Sequence, residues 1–227
     1  MATIEVLKAG IEAEARREEF PLDAVPYRKA GRDPHAPILF AGSLDAELAF
    51  FARDLGWNEV IQGEPLIGDA GQRVRQALYR HLFYKDPPAD DVHLADAVTH
   101  VLLTNTVPYK PVGNKAYSTA VKERFRPFIA KLLTCHWSGD TIITMGTEAF
   151  QWFKPYADKG ALDAFWKRPD RFESTIAVEL TSNCDGAPVK RRVTLAPLPH
   201  PSPLNQTWLA LFPSLLENRL NALLPNP

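Results

Sequence analysis

Three kinds of polar group stand where this chain could do chemistry: a histidine, an asparagine and a few carboxylates, each near the end of a strand-like run. His200 lies in Leu198-Pro199-His200-Pro201-Ser202-Pro203-Leu204, directly after the run Arg191-Arg192-Val193-Thr194-Leu195-Ala196. The prolines fix φ around it and restrict the residues before them, so the imidazole has little backbone freedom to lose. The same composition also suits a plain surface turn. Asn105 sits between Thr104 and Thr106 at the carboxyl end of AVTHVLLTNTV, residues 97–107. Its amide offers a donor and an acceptor, which matches the imide edge of a pyrimidine such as uracil. A histidine nearby can donate a hydrogen bond to an oxygen on which negative charge grows as a base leaves its sugar. Asp45, Glu47 or Asp69 at the same crevice can orient water or offset positive charge on the sugar.

These groups need a scaffold that brings strand ends together. A charged helical pattern fills the first twenty residues and forms, with the proline-broken segment up to residue 36, a lead-in to the first clear strand, Pro37-Ile38-Leu39-Phe40-Ala41-Gly42. Residues 45–55 read as a helix, with Leu44, Leu48, Phe51 and Leu55 at helical spacing, and residues 69–82 as another. Lys85 to Asp91 is a loop. Residues 97–107 form an apolar run buried on both faces, as in a parallel sheet. Ser118 or Thr119 caps a helix striped by Val121, Phe125, Ile129 and Leu132, in which Pro127 should kink or end the regular bonding. Thr141 to Met145 is a short strand, with Thr147 as N-cap of the helix after it. Two strands flank Asn183-Cys184-Asp185-Gly186, and a last helix runs from Gln206 to Leu224. Alternating strands and helices predict one domain over residues 1–227, a three-layer α/β/α sandwich with a central, mainly parallel sheet. In such sheets ligands bind beyond the carboxyl ends of the strands. The ends expected to converge are Gly42-Ser43-Leu44-Asp45, Asn105 to Tyr109, and Pro199 to Ser202.

Composition narrows the class. At 227 residues and 45% hydrophobic the chain can bury one sizeable core. Lys plus Arg number 26 against 27 Asp plus Glu, so any anion-binding surface must come from local clustering. No apolar run spans a bilayer and the N-terminus lacks a signal-peptide core, which gives the expectation of a soluble cytoplasmic protein, a monomer with no membrane partner. Cys135 and Cys184 lack C-x-x-C spacing, and reduced thiols are expected. A four-thiolate zinc or iron–sulfur site is not available, and His35, His81, His93, His100 and His136 form no metal-ligand pattern, so neither metal nor cofactor is expected.

The ordered set of motifs carries a resemblance. The strand ILFAG, the segment Gly63-Glu64-Pro65-Leu66-Ile67-Gly68-Asp69-Ala70-Gly71, Thr104-Asn105-Thr106-Val107 followed by Lys110-Pro111-Val112-Gly113-Asn114-Lys115, the helix through Arg126-Pro127-Phe128, residues 142–150 and His200-Pro201-Ser202-Pro203-Leu204 follow one another as in the uracil-DNA glycosylase superfamily. From about Ile38 to Leu224 the chain resembles most closely the branch typified by thermostable bacterial enzymes with an iron–sulfur cluster. The resemblance implies a DNA partner containing uracil or another modified base, and hydrolysis of the N-glycosidic bond to leave an abasic site. It implies that Asn105 contacts the base edge, that His200 supports the leaving base, and that Pro201-Ser202-Pro203 enters the minor groove to push the nucleotide out. Extruding a base costs a few kcal/mol that the pocket must recover.

Three departures qualify that likeness. The family's first motif should follow ILFAG, but Gly42-Ser43-Leu44-Asp45-Ala46 puts Leu44 where a water-positioning carboxylate is usual, which leaves Asp69 ahead of Asp45 as the acid. Asp69 equally suits a helix start. Leu66 replaces the phenylalanine expected to stack on uracil, worth about 1–3 kcal/mol in single-strand binders, so a different or bulkier base is an alternative. A DNA-binding member without catalysis is another. The cluster cysteines are replaced around Arg16 to Phe20. For the DNA backbone, Lys110, Lys115, Lys122, Arg124 and Arg126 are the denser basic group, with Arg73, Arg75, Arg80 and His81 a second set. Tyr109, Tyr117 and Trp208 read more readily as core.

Overall fold

The computed structural model describes residues 3–201 and 206–224. Two helices lead in, α1 (Ile4–Arg17) and α2 (Ala24–Lys29), followed by strands β1 (Phe40–Gly42) and β2 (Leu48–Ala52), helices α3 (Trp57–Gln62), α4 (Asp69–Phe83) and α5 (Ala95–Val98), and β3 (Val101–Asn105). Then come α6 (Thr119–Lys131), β4 (Thr141–Met145), α7 (Thr147–Gln151), α8 (Ala161–Trp166), the hairpin β5 (Ile176–Cys184) and β6 (Ala187–Leu198), and α9 (Gln206–Leu223). One six-stranded sheet runs in the order β1-β3-β2-β4-β6-β5. Its four central strands are mutually parallel, and the two edges, β1 and β5, are antiparallel to their neighbours.

Strand alternation sends side chains to two separate cores. Ala49 and Phe51 of β2, with Leu102 and Ile142, pack against α1, α6, α7 and α8. Leu48, Phe50 and Ala52, with Leu103 and Ile143, pack against α4, α5 and α9. That is the three-layer α/β/α sandwich, with every residue of β2 and β3 buried. Among the described residues no helix is long and apolar enough to cross a membrane.

Five local expectations are corrected. Residues 45–55 are not a helix: Leu48-Ala49-Phe50-Phe51-Ala52 is a continuous apolar run, and it forms the central strand β2, paired on both sides. The strand at 37–42 narrows to β1, an antiparallel edge whose Phe40 faces Thr104 and whose Gly42 faces Leu102. The stretch 97–107 is divided, its start belonging to α5 and only Val101–Asn105 to β3. Cys135 and Cys184 are not free thiols but a disulfide, with Cα atoms 5.8 Å apart across a sequence separation of 49. Ser118 caps α6 as expected, and Pro127 lies within that helix rather than ending it, the regular bonding giving way to a π-turn only at Leu132–His136. Gly146, not Thr147, is the N-cap of α7.

Candidate active site

The carboxyl ends of β2, β3 and β6 open into a cleft of about 330 Å³, lined by residues 52–59, Leu66, Gly68, Asp69, Ala70, Asn105 and His200. Its size falls in the range of about 300–1,000 Å³ usual for small-molecule sites. Asn105 and His200, widely separated in sequence, face this one space.

Each wall has a local cause. β3 ends at Asn105, a residue only 3% exposed. Its Nδ2 donates to the carbonyl of Arg53, while its buried Oδ1 has no hydrogen-bond partner among the described residues. A buried acceptor left open costs about 1–3 kcal/mol unless something donates to it, and this one belongs to a residue that lines the cleft. After β2 the chain runs Arg53-Asp54-Leu55-Gly56 into α3, and the Asp54 carboxylate accepts from the Thr106 hydroxyl at 3.1 Å and the Tyr117 amide at 3.1 Å. Burial lifts the Asp54 carboxyl above the usual aspartate range, against the pull of the Tyr117 amide, Lys122, Thr106 and Arg53. His200 follows β6. Burial, with a smaller contribution from the positive charge of Arg53, lowers its pKa, so the imidazole is neutral at pH 7. Gly146, at φ 86°, makes room for it: a Cβ there would stand 2.8 Å from the His200 Cβ.

The third wall is a tightly built turn. Leu66 is buried at φ 54°, a conformation that costs a branched residue about 1–2 kcal/mol. Arg75, buried in α4, holds it there: its guanidinium donates to the carbonyls of Leu66 (2.7 Å), Pro65 (3.0 Å) and His93, and to the Glu64 carboxylate (3.0 Å). Gly71 is needed beneath the turn because a Cβ would collide with the Leu66 backbone. Glu59 joins two walls, accepting from the Gly56 amide at 3.1 Å and the Gly68 amide at 2.9 Å. Asp69 is exposed at the start of α4 and lines the cleft.

Other residues singled out in the sequence lie elsewhere. Gly42, Ser43 and Asp45 are at the opposite end of the sheet: β1 runs against β3, and the Ser43 amide donates to the carbonyl of Val101, the first residue of β3. Lys110 is 2% exposed and pairs with Asp23 at 3.0 Å, so it is a strut rather than a phosphate contact. Arg75 is buried for the reason given above. Lys122 pairs with Glu148, Arg124 with Glu14, and Arg126 with Glu123. Lys115 is exposed and outside the cleft lining. Pro201 is buried next to His200, whereas Ser202 and Pro203 lie outside the described residues. Asp54, Arg53 and Glu59 were missed, although the run LAFFA ending in Arg-Asp-Leu-Gly was the signal for them. Among the described residues no three His, Cys, Asp or Glu side chains are grouped to hold a metal.

No curated protein matches the chain. The family profile described as the Uracil DNA glycosylase superfamily matches residues 33–224, from the turn before β1 through α9. A match over so much of the chain, together with the sandwich it folds into, makes the protein a member of the Uracil DNA glycosylase superfamily.

Proposed function

We propose that the protein is a DNA glycosylase that hydrolyses the N-glycosidic bond of uracil or a related modified base flipped out of DNA, with residues 1–227 working as one domain. The observation that carries this reading is the unsatisfied, buried Oδ1 of Asn105 in the same cleft as a neutral His200. Asn105 accepts from the ring N–H of the base, and Leu66 packs against it. Water attacks the sugar carbon as the bond to the base breaks, and the bonding pair leaves with the base. His200 donates to the base oxygen on which the charge collects. Asp54 takes the role assigned from the sequence to Asp69 ahead of Asp45: its carboxylate offsets the positive charge on the sugar and receives the proton of the attacking water. Asp69 is the other carboxylate at the cleft. The segment Pro201-Ser202-Pro203, of which Pro201 alone is among the described residues, is assigned to pressing on the DNA.

Leu66 in place of an aromatic ring favours a second reading, a glycosylase for a bulkier modified base. Oligonucleotides carrying a panel of modified bases, treated with the protein and then with alkali, test both, because only base removal leaves an alkali-labile site. Asn105→Ala, His200→Ala and Asp54→Asn should each abolish most cleavage, and Asp69→Asn should spare more of it. Absence of cleavage across the panel would reject glycosylase activity, and full cleavage by Asn105→Ala would reject the base-reading role.

A further inference from the structure

We propose that one side of the cleft mouth, formed by Lys29, Arg32 and Trp57, carries an unpaired stretch of the DNA strand next to the flipped nucleotide. Trp57 stacks on a neighbouring base and the two cations meet its phosphates. This rests on the glycosylase reading above. Trp57 opens α3 and lines the cleft, yet this large aromatic residue is 38% exposed. Lys29, the last residue of α2, holds its Nζ 5.6 Å from the centre of that ring. Arg32 lies in the turn after α2, with its guanidinium where a Cβ on Gly63 would stand, so the left-handed glycine that ends α3 leaves room for it.

Neither Lys29 nor Arg32 has a carboxylate partner among the described residues, in contrast to Lys110, Lys122, Arg124 and Arg126. Exposed cations beside an exposed aromatic ring are what a single strand needs: charge for the backbone and a flat face that accepts any base. The other side of the mouth repels phosphate, since Asp69 is exposed there. Between these two sides, charge favours a path for the strand across α2 and α3.

The test is binding of the full chain to a single-stranded oligonucleotide with no modified base, followed by fluorescence anisotropy over a range of salt, beside turnover of a modified-base oligonucleotide. Removing two phosphate contacts from a single strand should lower the slope of log affinity against log salt by about 1.4 in the Lys29→Ala/Arg32→Ala protein. Trp57→Ala should weaken binding about tenfold with little change in slope, and Trp57→Phe should recover much of the loss. In turnover the losses should fall on KM rather than kcat. An unchanged slope in the double variant, or wild-type affinity in folded Trp57→Ala, would overturn the proposal. Base release with an unaltered KM in these variants would remove this surface and leave the glycosylase reading standing. The predicted binding losses without base release from any substrate would do the reverse.

Discussion

Glu59 offers the sharpest perturbation, because one carboxylate ties the turn after β2 to the start of α4 through two backbone amides. Hydrogen bonds to a charged group contribute about 1.5–3 kcal/mol each, and the half-buried position of Glu59 argues for the lower end. Glu59→Ala should therefore lose about 3 kcal/mol, or about 6–12 °C in Tm for a chain of this size. Glu59→Gln keeps one acceptor but sets an NH2 group against the second amide, so about half that loss is expected. The tied segments carry Asp54 on one side and Leu66 and Asp69 on the other. A loosened cleft misplaces these groups, and misplacement of about 1 Å can cost on the order of a hundredfold in rate. Single-turnover base release should slow by at least about tenfold in Glu59→Ala, with the loss in kcat and a partial recovery in Glu59→Gln. A variant that melts lower but releases base at the wild-type rate would show that the tie holds the fold and not the chemistry. No change in either measurement would refute the reasoning altogether.

Asp54 and His200 should oppose each other in stability. Because burial raises the folded pKa of Asp54, stability falls as pH rises from the ordinary aspartate value through the raised one, so Asp54→Asn should be more stable than wild type at pH 7 by denaturant titration while losing base release. The folded pKa of His200 is lowered, so its contribution is intact above pH 6.5 and is lost as pH falls below that, a loss His200→Asn should lack. Gly146→Ala places a Cβ 2.8 Å from that of His200 at a φ of 86°, which should cost at least about 1–2 kcal/mol and lower kcat more than it raises KM. Reducing the Cys135–Cys184 bond, which closes a loop of sequence separation 49, should remove about 4 kcal/mol and lower Tm by about 8–16 °C, with the rate of base release at 25 °C unchanged because the bond is not at the cleft.

Asn105 and His200 were legible as strand-end residues because Asn105 closes the buried apolar run of β3, even though the start of that run belongs to α5, and His200 stands just past β6 on the far arm of a hairpin. Asp54 was not, for a definite reason. Leu44, Leu48, Phe51 and Leu55 happen to fall at helical spacing, which disguised β2, and an equally apolar Pro37–Gly42 took its place as the first strand of the site. Nothing local tells that β1 runs antiparallel, since strand direction is set by pairing with β3, about sixty residues further along. The same distance effect hid the roles of Lys110 and Arg75. A lysine in a basic cluster and an arginine on a helix face look like surface charge until the fold brings Asp23 to one and three carbonyls to the other. Cys135 and Cys184 met by the same means.

The tether from Asn105 to the Arg53 carbonyl fixes more than an orientation. It commits the amide to present its oxygen inward, so a visitor is greeted by a lone pair and must bring a hydrogen of its own. Cytosine carries a lone pair at that ring nitrogen, and two lone pairs repel, whereas its deaminated form carries the missing hydrogen. Under the proposed activity, the whereabouts of that proton is one part of telling damage from the healthy letter, read by an amide whose other end is already held by the Arg53 carbonyl.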